Sequence, residues 1–264
     1  MKRVLIIQDI SCAGRCSTGL YLPVLSAMGH ECVLLPTQLL STHTMFPAPV
    51  QLDLTEFCRD TLAHWKTIGL QPDCIVTGYM GSRQQLDLAL QAAQQFRCPL
   101  IVDPAMGDHG KLYSSIPAEL PQIMLQLCRC ADVLLPNITE ACLLTGTPYI
   151  PAPTHSQLEE LADKLLALGA RAVYLTGVEL TPGQTGFFYA DNSSRYLHQA
   201  PKHPISSHGT GDLFTAVTTG ALLRGETPVS AGVRAAKFVA DALAATPEIG
   251  PYGVHFEKIL HTLR

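Results

Sequence analysis

The sequence predicts an α/β fold of three layers, with helices on both sides of a mostly parallel central sheet. Two observations carry that prediction. Short β-rich runs alternate along the chain with longer amphipathic segments, the order that builds a parallel sheet from crossovers. Each β-rich run is continuously apolar instead of alternating, as in strands covered on both faces. Size agrees. The 264 residues are 47% hydrophobic and 15% charged, too apolar for a disordered chain and long enough for a core that needs no disulfide or metal.

In chain order, Val4-Leu5-Ile6-Ile7 reads as the first buried strand and Cys32-Val33-Leu34-Leu35 as the second. Cys74-Ile75-Val76-Thr77, Leu100-Ile101-Val102, Val133-Leu134-Leu135 and Ala172-Val173-Tyr174-Leu175 follow as the third to sixth. Helices are predicted over 54–68, with Asp53 as N-cap and Leu54, Phe57, Leu62 and Trp65 on one stripe, and over 83–96 and 157–168. Residues 38–50, punctuated by Pro36, Pro47 and Pro49, are expected to project as a flap. Residues 186–199 read as a β-hairpin turning at Asp191-Asn192-Ser193-Ser194, and two Ala-rich helices are expected over 212–224 and 229–245. With no internal repeat and no linker between two cores, residues 1–264 are read as one domain.

Charge and cysteine usage narrow the function classes. A formal net charge of −4 without a basic run argues against a nucleic-acid partner. No stretch reaches the ~20 apolar residues of a membrane span, and the start of the chain is too short in apolar residues for a signal peptide. The nine cysteines, spread from Cys12 to Cys142, lack both disulfide pairing and zinc-site spacing, which points to reduced thiols and the cytoplasm.

In open α/β sheets a ligand lies beyond the carboxyl ends of the strands. Polar residues converge there from six elements: Asp9-Ile10-Ser11, Ser41-Thr42-His43-Thr44, Gly78-Tyr79, Asp103 to Asp108, Asn137 to Glu140, and Thr176-Gly177. The sharpest segment is Gly209-Thr210-Gly211-Asp212. Its glycines open the backbone at a helix start, where unpaired N–H groups can hold the charge on a transferred phosphoryl group. Asp212 in the first turn can take a proton from an attacking hydroxyl, although a Gly-rich turn with an Asp at the helix N-terminus accounts for the same letters. Asp103 and Asp108 bracket a Pro and a Gly so that both carboxylates can reach one point, and Asn137 and Glu140 share a first helical turn. Oxygen ligands of this kind suit Mg²⁺ held through water and phosphate; a capping box explains Asn137 and Glu140 equally well. A Walker-type Gly-x-x-x-x-Gly-Lys motif is absent, which excludes a P-loop kinase. On the residues alone, His43 reads as a surface loop histidine and Tyr79 as a half-buried strand-end aromatic.

The whole set resembles the ribokinase-like superfamily in its vitamin-kinase branch, and is most similar to the pyridoxal/pyridoxine/pyridoxamine (vitamin B6) kinases. The carriers are Ser41-Thr42-His43-Thr44, Thr77-Gly78-Tyr79, Val102 to Asp108, Pro136 to Ala141, Leu144-Thr145-Gly146 and Gly209 to Phe214. The resemblance runs from Val4 to about Ala245. It implies a ribokinase-like three-layer sandwich that transfers the γ-phosphoryl group of ATP to the hydroxymethyl group of a B6 vitamer. It implies Asp212 as base and Gly209, Thr210 and Gly211 as the anion hole. Ser11, His43, Thr44 and Tyr79 would hold the pyridine, and Asp108, Asn137, Glu140 and Thr176 the nucleotide, with the 186–199 hairpin on that side. Asp103 and Glu140 would hold Mg²⁺. Family members are commonly homodimers, and some need a monovalent cation such as K⁺. Met45 departs from the small residue frequent in the family, and the short 108–113 stretch is nearer the bacterial forms. Two further readings stand beside this one: a hydroxymethylpyrimidine (phosphate) kinase sharing the Gly-Thr-Gly-Asp segment, and a non-catalytic vitamin-binding regulator.

Overall fold

The fold is described from a computed structural model that covers residues 1–205, 207–248 and 250–264. In chain order the elements are β1 (Arg3–Ser11), α1 (Ser17–Ala27), β2 (Glu31–Leu40), β3 (Gln51–Asp53), α2 (Thr55–Thr67), β4 (Cys74–Thr77) and α3 (Arg83–Phe96). There follow β5 (Leu100–Val102), β6 (Gly107–Asp108), β7 (Lys111–Leu112), α4 (Leu120–Cys128), β8 (Val133–Leu134), α5 (Ile138–Thr145) and α6 (His155–Leu168). The chain ends with β9 (Ala172–Val178), β10 (Gln184–Asp191), β11 (Arg195–Pro201), α7 (Thr210–Leu223), α8 (Pro228–Ala244) and a 3-10 helix (Glu257–Leu263).

One nine-stranded sheet runs β11-β10-β9-β8-β5-β4-β1-β2-β3. The six expected strands form its parallel centre, from β9 to β2. Antiparallel strands close both sides, β3 against β2 and the β10–β11 hairpin against β9. Strand alternation sends β1 residues Leu5 and Ile7 into a core shared with α2 to α6, and Val4 and Ile6 into a second core shared with α1, α7 and α8. The sheet is thus buried on both faces, as its continuous apolar strands require.

Three local expectations change. Residues 38–40 belong to β2, where they pair with β3, so the projecting loop is 41–50. Leu54, not Asp53, is the N-cap residue of α2, yet the Asp53 carboxylate still accepts the Thr55 N–H at 2.9 Å. Phe57 is exposed; α2 buries Cys58 and Leu62 with Leu54 and Trp65 packed alongside.

Candidate active site

At the carboxyl edge of the sheet, α7 begins at Gly209, whose φ of +84° is a left-handed conformation. A side chain there would collide with the Arg15 carbonyl oxygen, 2.2 Å from the position of a Cβ, so both conformation and space call for glycine. No side chain caps α7, which leaves its first N–H groups available to an anion. The Thr210 hydroxyl donates to the Ser207 carbonyl at 3.3 Å and so steadies the turn.

Asp212, one residue beyond Gly211, keeps partial contact with solvent. Its Oδ2 accepts the backbone N–H of Ser17 at 3.0 Å, so the N-terminus of α1 also points at it. Ser17 holds a φ of +49°, strained for a serine, to make that approach. Burial and the neighbouring Asp103 and Asp9 carboxylates push Asp212 up to about 7, against the Ser17 hydrogen bond. A carboxylate with that proton affinity is suited to general-base work near neutrality.

Asp103 follows β5 directly and is buried. Its Oδ2 accepts the Thr215 hydroxyl of α7 at 2.8 Å, and its Oδ1 the Ala105 N–H at 3.2 Å. Glu140 is buried beside it. One of its oxygens accepts the N–H groups of Met106 at 3.0 Å and Gly107 at 3.4 Å, and the other accepts that of Asn137 at 2.9 Å. The Asn137 Oδ1 returns the bond to the Glu140 N–H at 2.9 Å, completing a capping box. Both functions of Asn137-x-x-Glu140 are therefore physically compatible, but the capping role is the one visible in the bonds. Burial and mutual repulsion raise the proton affinity of Asp103, and burial raises that of Glu140.

Asp108 differs from the buried Asp103 in its exposure. It is exposed on a two-stranded β6–β7 hairpin, whose turn places His109 and Gly110 at φ values of +50° and +76°. That primed turn suits the twist of a hairpin and swings the Asp108 carboxylate toward the His109 N–H, 2.7 Å away, and to the Glu140 side of the cleft. Thr176 lies beside Asn137 through a parallel bridge and donates its N–H to the Pro136 carbonyl at 2.9 Å, so these two are brought together.

At the other end, Ser11 and Asp9 terminate β1, with the Ser11 hydroxyl donating to Asp9 Oδ2 at 3.0 Å. Tyr79 follows β4, half-buried, and donates its hydroxyl to Ser115 at 2.9 Å. His43 is buried, not on a free loop: its Nδ1 accepts the Met45 N–H at 3.4 Å and its Nε2 donates to the Pro251 carbonyl at 2.6 Å. Its ring packs on Phe46 and His208, while Phe46 meets Tyr252. Thr44 is half-buried in the same loop.

Two further residues belong to this region: Asp9, named from the sequence only as part of the Asp9-Ile10-Ser11 strand end, and Tyr113, which was not singled out. Asp9 is buried between Ser11 and Ser17. Tyr113 sits just beyond the hairpin, where burial and then the Glu140, Asp108, Asp103 and Asp212 carboxylates raise the proton affinity of its phenolate. The signal for Asp9 was its place at the end of a buried strand; Tyr113 had none, since nothing in the letters 107–112 marks a hairpin two residues deep. All nine cysteines are free, and burial pushes the Cys16 thiol, at the start of α1, up to about 12.

Comparison with known proteins places this geometry. The phosphomethylpyrimidine kinase family model matches residues 55–256. A pyridoxine/pyridoxal/pyridoxamine kinase of Bordetella avium is 30% identical over 92% of this chain and 85% of its own. A pyridoxal kinase of Lactobacillus plantarum superposes with a TM-score of 0.92 at 34% identity, covering 100% of this chain and 96% of that one. A Bacteroides thetaiotaomicron protein described as a phosphomethylpyrimidine kinase, and crystallised with pyridoxal, gives 0.94 at 34% identity, covering 99% of this chain and 95% of that one. The chain belongs to the phosphomethylpyrimidine kinase family of the ribokinase-like fold, in the company of the vitamin B6 kinases.

Proposed function

We propose that this chain transfers the γ-phosphoryl group of ATP to the hydroxymethyl group of a vitamin B6 vitamer, working as one kinase domain. The observation that carries the reading is Asp212. Its carboxylate lies in the first turn of an uncapped helix, is pushed up to about 7, and is flanked by Asp103 on one side and the Asp9–Ser11 end of β1 on the other. Asp212 takes the hydroxyl proton as that oxygen bonds to the γ-phosphorus. The bond from phosphorus to the bridging oxygen breaks, and ADP leaves with the electron pair. The first N–H groups of α7 face the charge on the transferring group. Asn137, Thr176 and Asp108 lie toward the nucleotide; Ser11, Tyr79, His43 and Thr44 lie toward the pyridine.

Two adjacent buried carboxylates of raised proton affinity, Asp103 and Glu140, fit a cation. Among the described residues no three His, Cys, Asp or Glu side chains gather around one point. This pair would hold Mg²⁺ largely through water and phosphate oxygens. Bound there, the ion neutralises phosphate charge. Nine free cysteines support a reducing compartment, hence the cytoplasm. A homodimer and a stimulating K⁺ ion complete the reading.

The description of the matching family favours a second acceptor, hydroxymethylpyrimidine. One assay decides: purified protein with MgATP, in K⁺ or Na⁺ salt, against pyridoxal, pyridoxine, pyridoxamine and hydroxymethylpyrimidine. A higher kcat/KM for a B6 vitamer than for the pyrimidine is expected. Transfer to the pyrimidine alone overturns the reading, and binding without any transfer leaves a vitamin-binding regulator.

A further inference from the structure

Beneath Asp212, between two packed helices, lies a buried hydroxyl that phosphoryl transfer leaves without a task. Helices α1 and α7 run side by side from the carboxyl edge of the sheet. At their start the Ser17 N–H meets Asp212 Oδ2 at 3.0 Å. Toward their end a Cβ on Gly220 would stand 2.4 Å from Met28 Sδ and 3.4 Å from Leu25 Cδ2, and the Arg224 guanidinium bonds the Met28 carbonyl at 2.9 Å. The two helices are therefore parallel and held in one register. Tyr21 lies four residues beyond Ser17 on the same face of α1, and so falls opposite the turn of α7 that holds Thr215. Tyr21 is 0% exposed, and its hydroxyl reaches no hydrogen bond of full geometry among the described residues. A buried hydroxyl left so is costly, and a phenylalanine would fill the same space without that cost.

We propose that Tyr21 is a positioning residue for phosphoryl transfer, its hydroxyl donating to Thr215 Oγ1 so that the Thr215 hydroxyl in turn holds the Asp103 carboxylate. The assignment rests on the kinase reading above and deepens it. Donors and acceptors match. Thr215, 1% exposed, gives its only hydroxyl proton to Asp103 Oδ2 at 2.8 Å and keeps lone pairs free. Tyr21 has one proton to give. Burial, then the Asp103 and Asp212 carboxylates, raise the proton affinity of its phenol, and hydrogen bonding with the Thr215 side chain lowers it. The two hydroxyls thus stand as hydrogen-bonding neighbours that fall short of full geometry in this structure.

A threonine inside a helix has two uses for its hydroxyl. It can reach outward to a partner or bond back to the carbonyl four residues earlier. One turn on, Thr219 takes the second course and donates to the Thr215 carbonyl at 2.8 Å. Thr215 takes the first, toward Asp103. A proton received from Tyr21 strengthens the one that Thr215 gives, because hydroxyls in series polarise one another. Without the Thr215 bond, Asp103 would keep only the Ala105 N–H, at 3.2 Å on its other oxygen. Its carboxylate would then be loosely set beside Glu140, the partner with which it is placed to hold a cation. The competing role for Tyr21 is packing alone, its ring filling the core that α1 and α7 share.

The test reads metal binding and needs no acceptor. Electron paramagnetic resonance measures free Mn²⁺ in the presence of ADP for wild type and for Tyr21→Phe, which keeps the ring and removes the hydroxyl. The Kd for Mn²⁺ is expected to rise about 2- to 10-fold, the range of one neutral hydrogen bond. The Mg²⁺ concentration for half-maximal activity should rise by the same factor, with the vitamer KM little changed. Thr215→Val should lose at least as much, and Thr215→Ser, which keeps the hydroxyl, should bind Mn²⁺ nearly as wild type does. Added to Thr215→Val, Tyr21→Phe should cost nothing more, since a relay is cut only once. Wild-type Mn²⁺ binding in Tyr21→Phe overturns the assignment, as do losses that multiply in the double variant. A lower melting temperature with metal binding intact also overturns it and leaves the packing role. The two readings fail separately. Weakened Mn²⁺ binding in Tyr21→Phe with transfer only to hydroxymethylpyrimidine rejects the B6 reading and keeps Tyr21 behind Asp103, whereas turnover of B6 with unchanged metal binding does the reverse.

Discussion

At Asp212, burial and the Asp103 and Asp9 carboxylates oppose ionisation, the Ser17 N–H favours it, and the balance leaves the group at about 7. The sequence marked this residue through company, since the Gly-Thr-Gly turn alone reads equally as a helix start and gained weight only beside Asp103, Asp108, Asn137 and Glu140. It could not show that a second helix, α1, also points its N-terminus at the same carboxylate, since Ser17 and Asp212 meet only in the folded chain. Asp103 and Asp108 show the converse limit. Their spacing suggested a shared target, but not that Asp103 would be buried against Thr215 while Asp108 stands exposed on a β6–β7 hairpin. If Asp212 is the base, Asp212→Asn lowers kcat by ~10²–10⁴-fold while ATP binding, measured by direct titration, stays within a few-fold. A base acts in its ionised form, so wild-type kcat should climb as pH rises through about 7 and level off above it. A variant keeping a tenth of wild-type turnover, or a rate that is flat from pH 6 to 8, removes Asp212 from that role.

The elements legible in the sequence were those whose burial is simple. The six parallel strands show as continuous apolar runs because both faces are covered. β3 was missed because all three of its residues are exposed, so no apolar run announces it. α1 was missed for the opposite reason. It is buried between the sheet and α7 with no clear polar face, and Pro23 inside it reads as a breaker. α4 was hidden by an apolar run too short and too uniform to assign to helix or strand. The 41–50 loop was recognised as an excursion, but its attachment was not, because its partners Pro251, Tyr252 and His208 lie some 200 residues on. That attachment has a functional consequence. His43 joins the loop to the segment that precedes the 3-10 helix, and the Arg15 N–H bonds the Tyr252 carbonyl at 2.7 Å, so the loop, the end of β1 and the approach to α7 are fastened together. His43→Ala should loosen the loop and admit water to the transferring group. The vitamer KM is expected to rise roughly 2- to 10-fold, as for loss of a neutral hydrogen bond, with the ATP KM little changed and more ATP hydrolysed per transfer. Faster proteolytic cutting within 41–50 should accompany it. An unchanged vitamer KM together with a smaller mass by light scattering would mean that the segment is instead a rigid contact between subunits.

Across the whole molecule, the site gathers negative charge where the two cores meet the carboxyl edge of the sheet, and the fold bears that cost in its stability. Asp212, Asp103 and Glu140 all hold protons more tightly in the folded chain than an ordinary carboxyl does. Between the unfolded carboxylate range near 4 and about 7, the native state then binds more protons than the unfolded one, and stability falls as pH rises through that window. Carboxylates such as Asp73 behave oppositely. The Arg3 N–H and Lys2 hold it below the ordinary range, so its contribution is present above about pH 4 and lost on further acidification. Thermal stability should therefore be greatest in mildly acidic buffer, while activity, if Asp212 is the base, should rise toward alkaline pH. Asp103→Asn separates the two demands. The amide still accepts the Thr215 hydroxyl but no longer sets a charge beside Glu140 and Asp212. Its melting temperature should exceed that of wild type at pH 8, the difference should narrow by pH 5 where the wild-type carboxyl is already protonated, and phosphoryl transfer should fall at both. Calorimetric scans of the two proteins at these pH values decide the matter. A variant less stable than wild type at pH 8 would mean that the Asp103 carboxylate is held by its hydrogen bonds more than it is opposed by burial, and that the charge at this edge is a structural asset instead of a cost kept for catalysis.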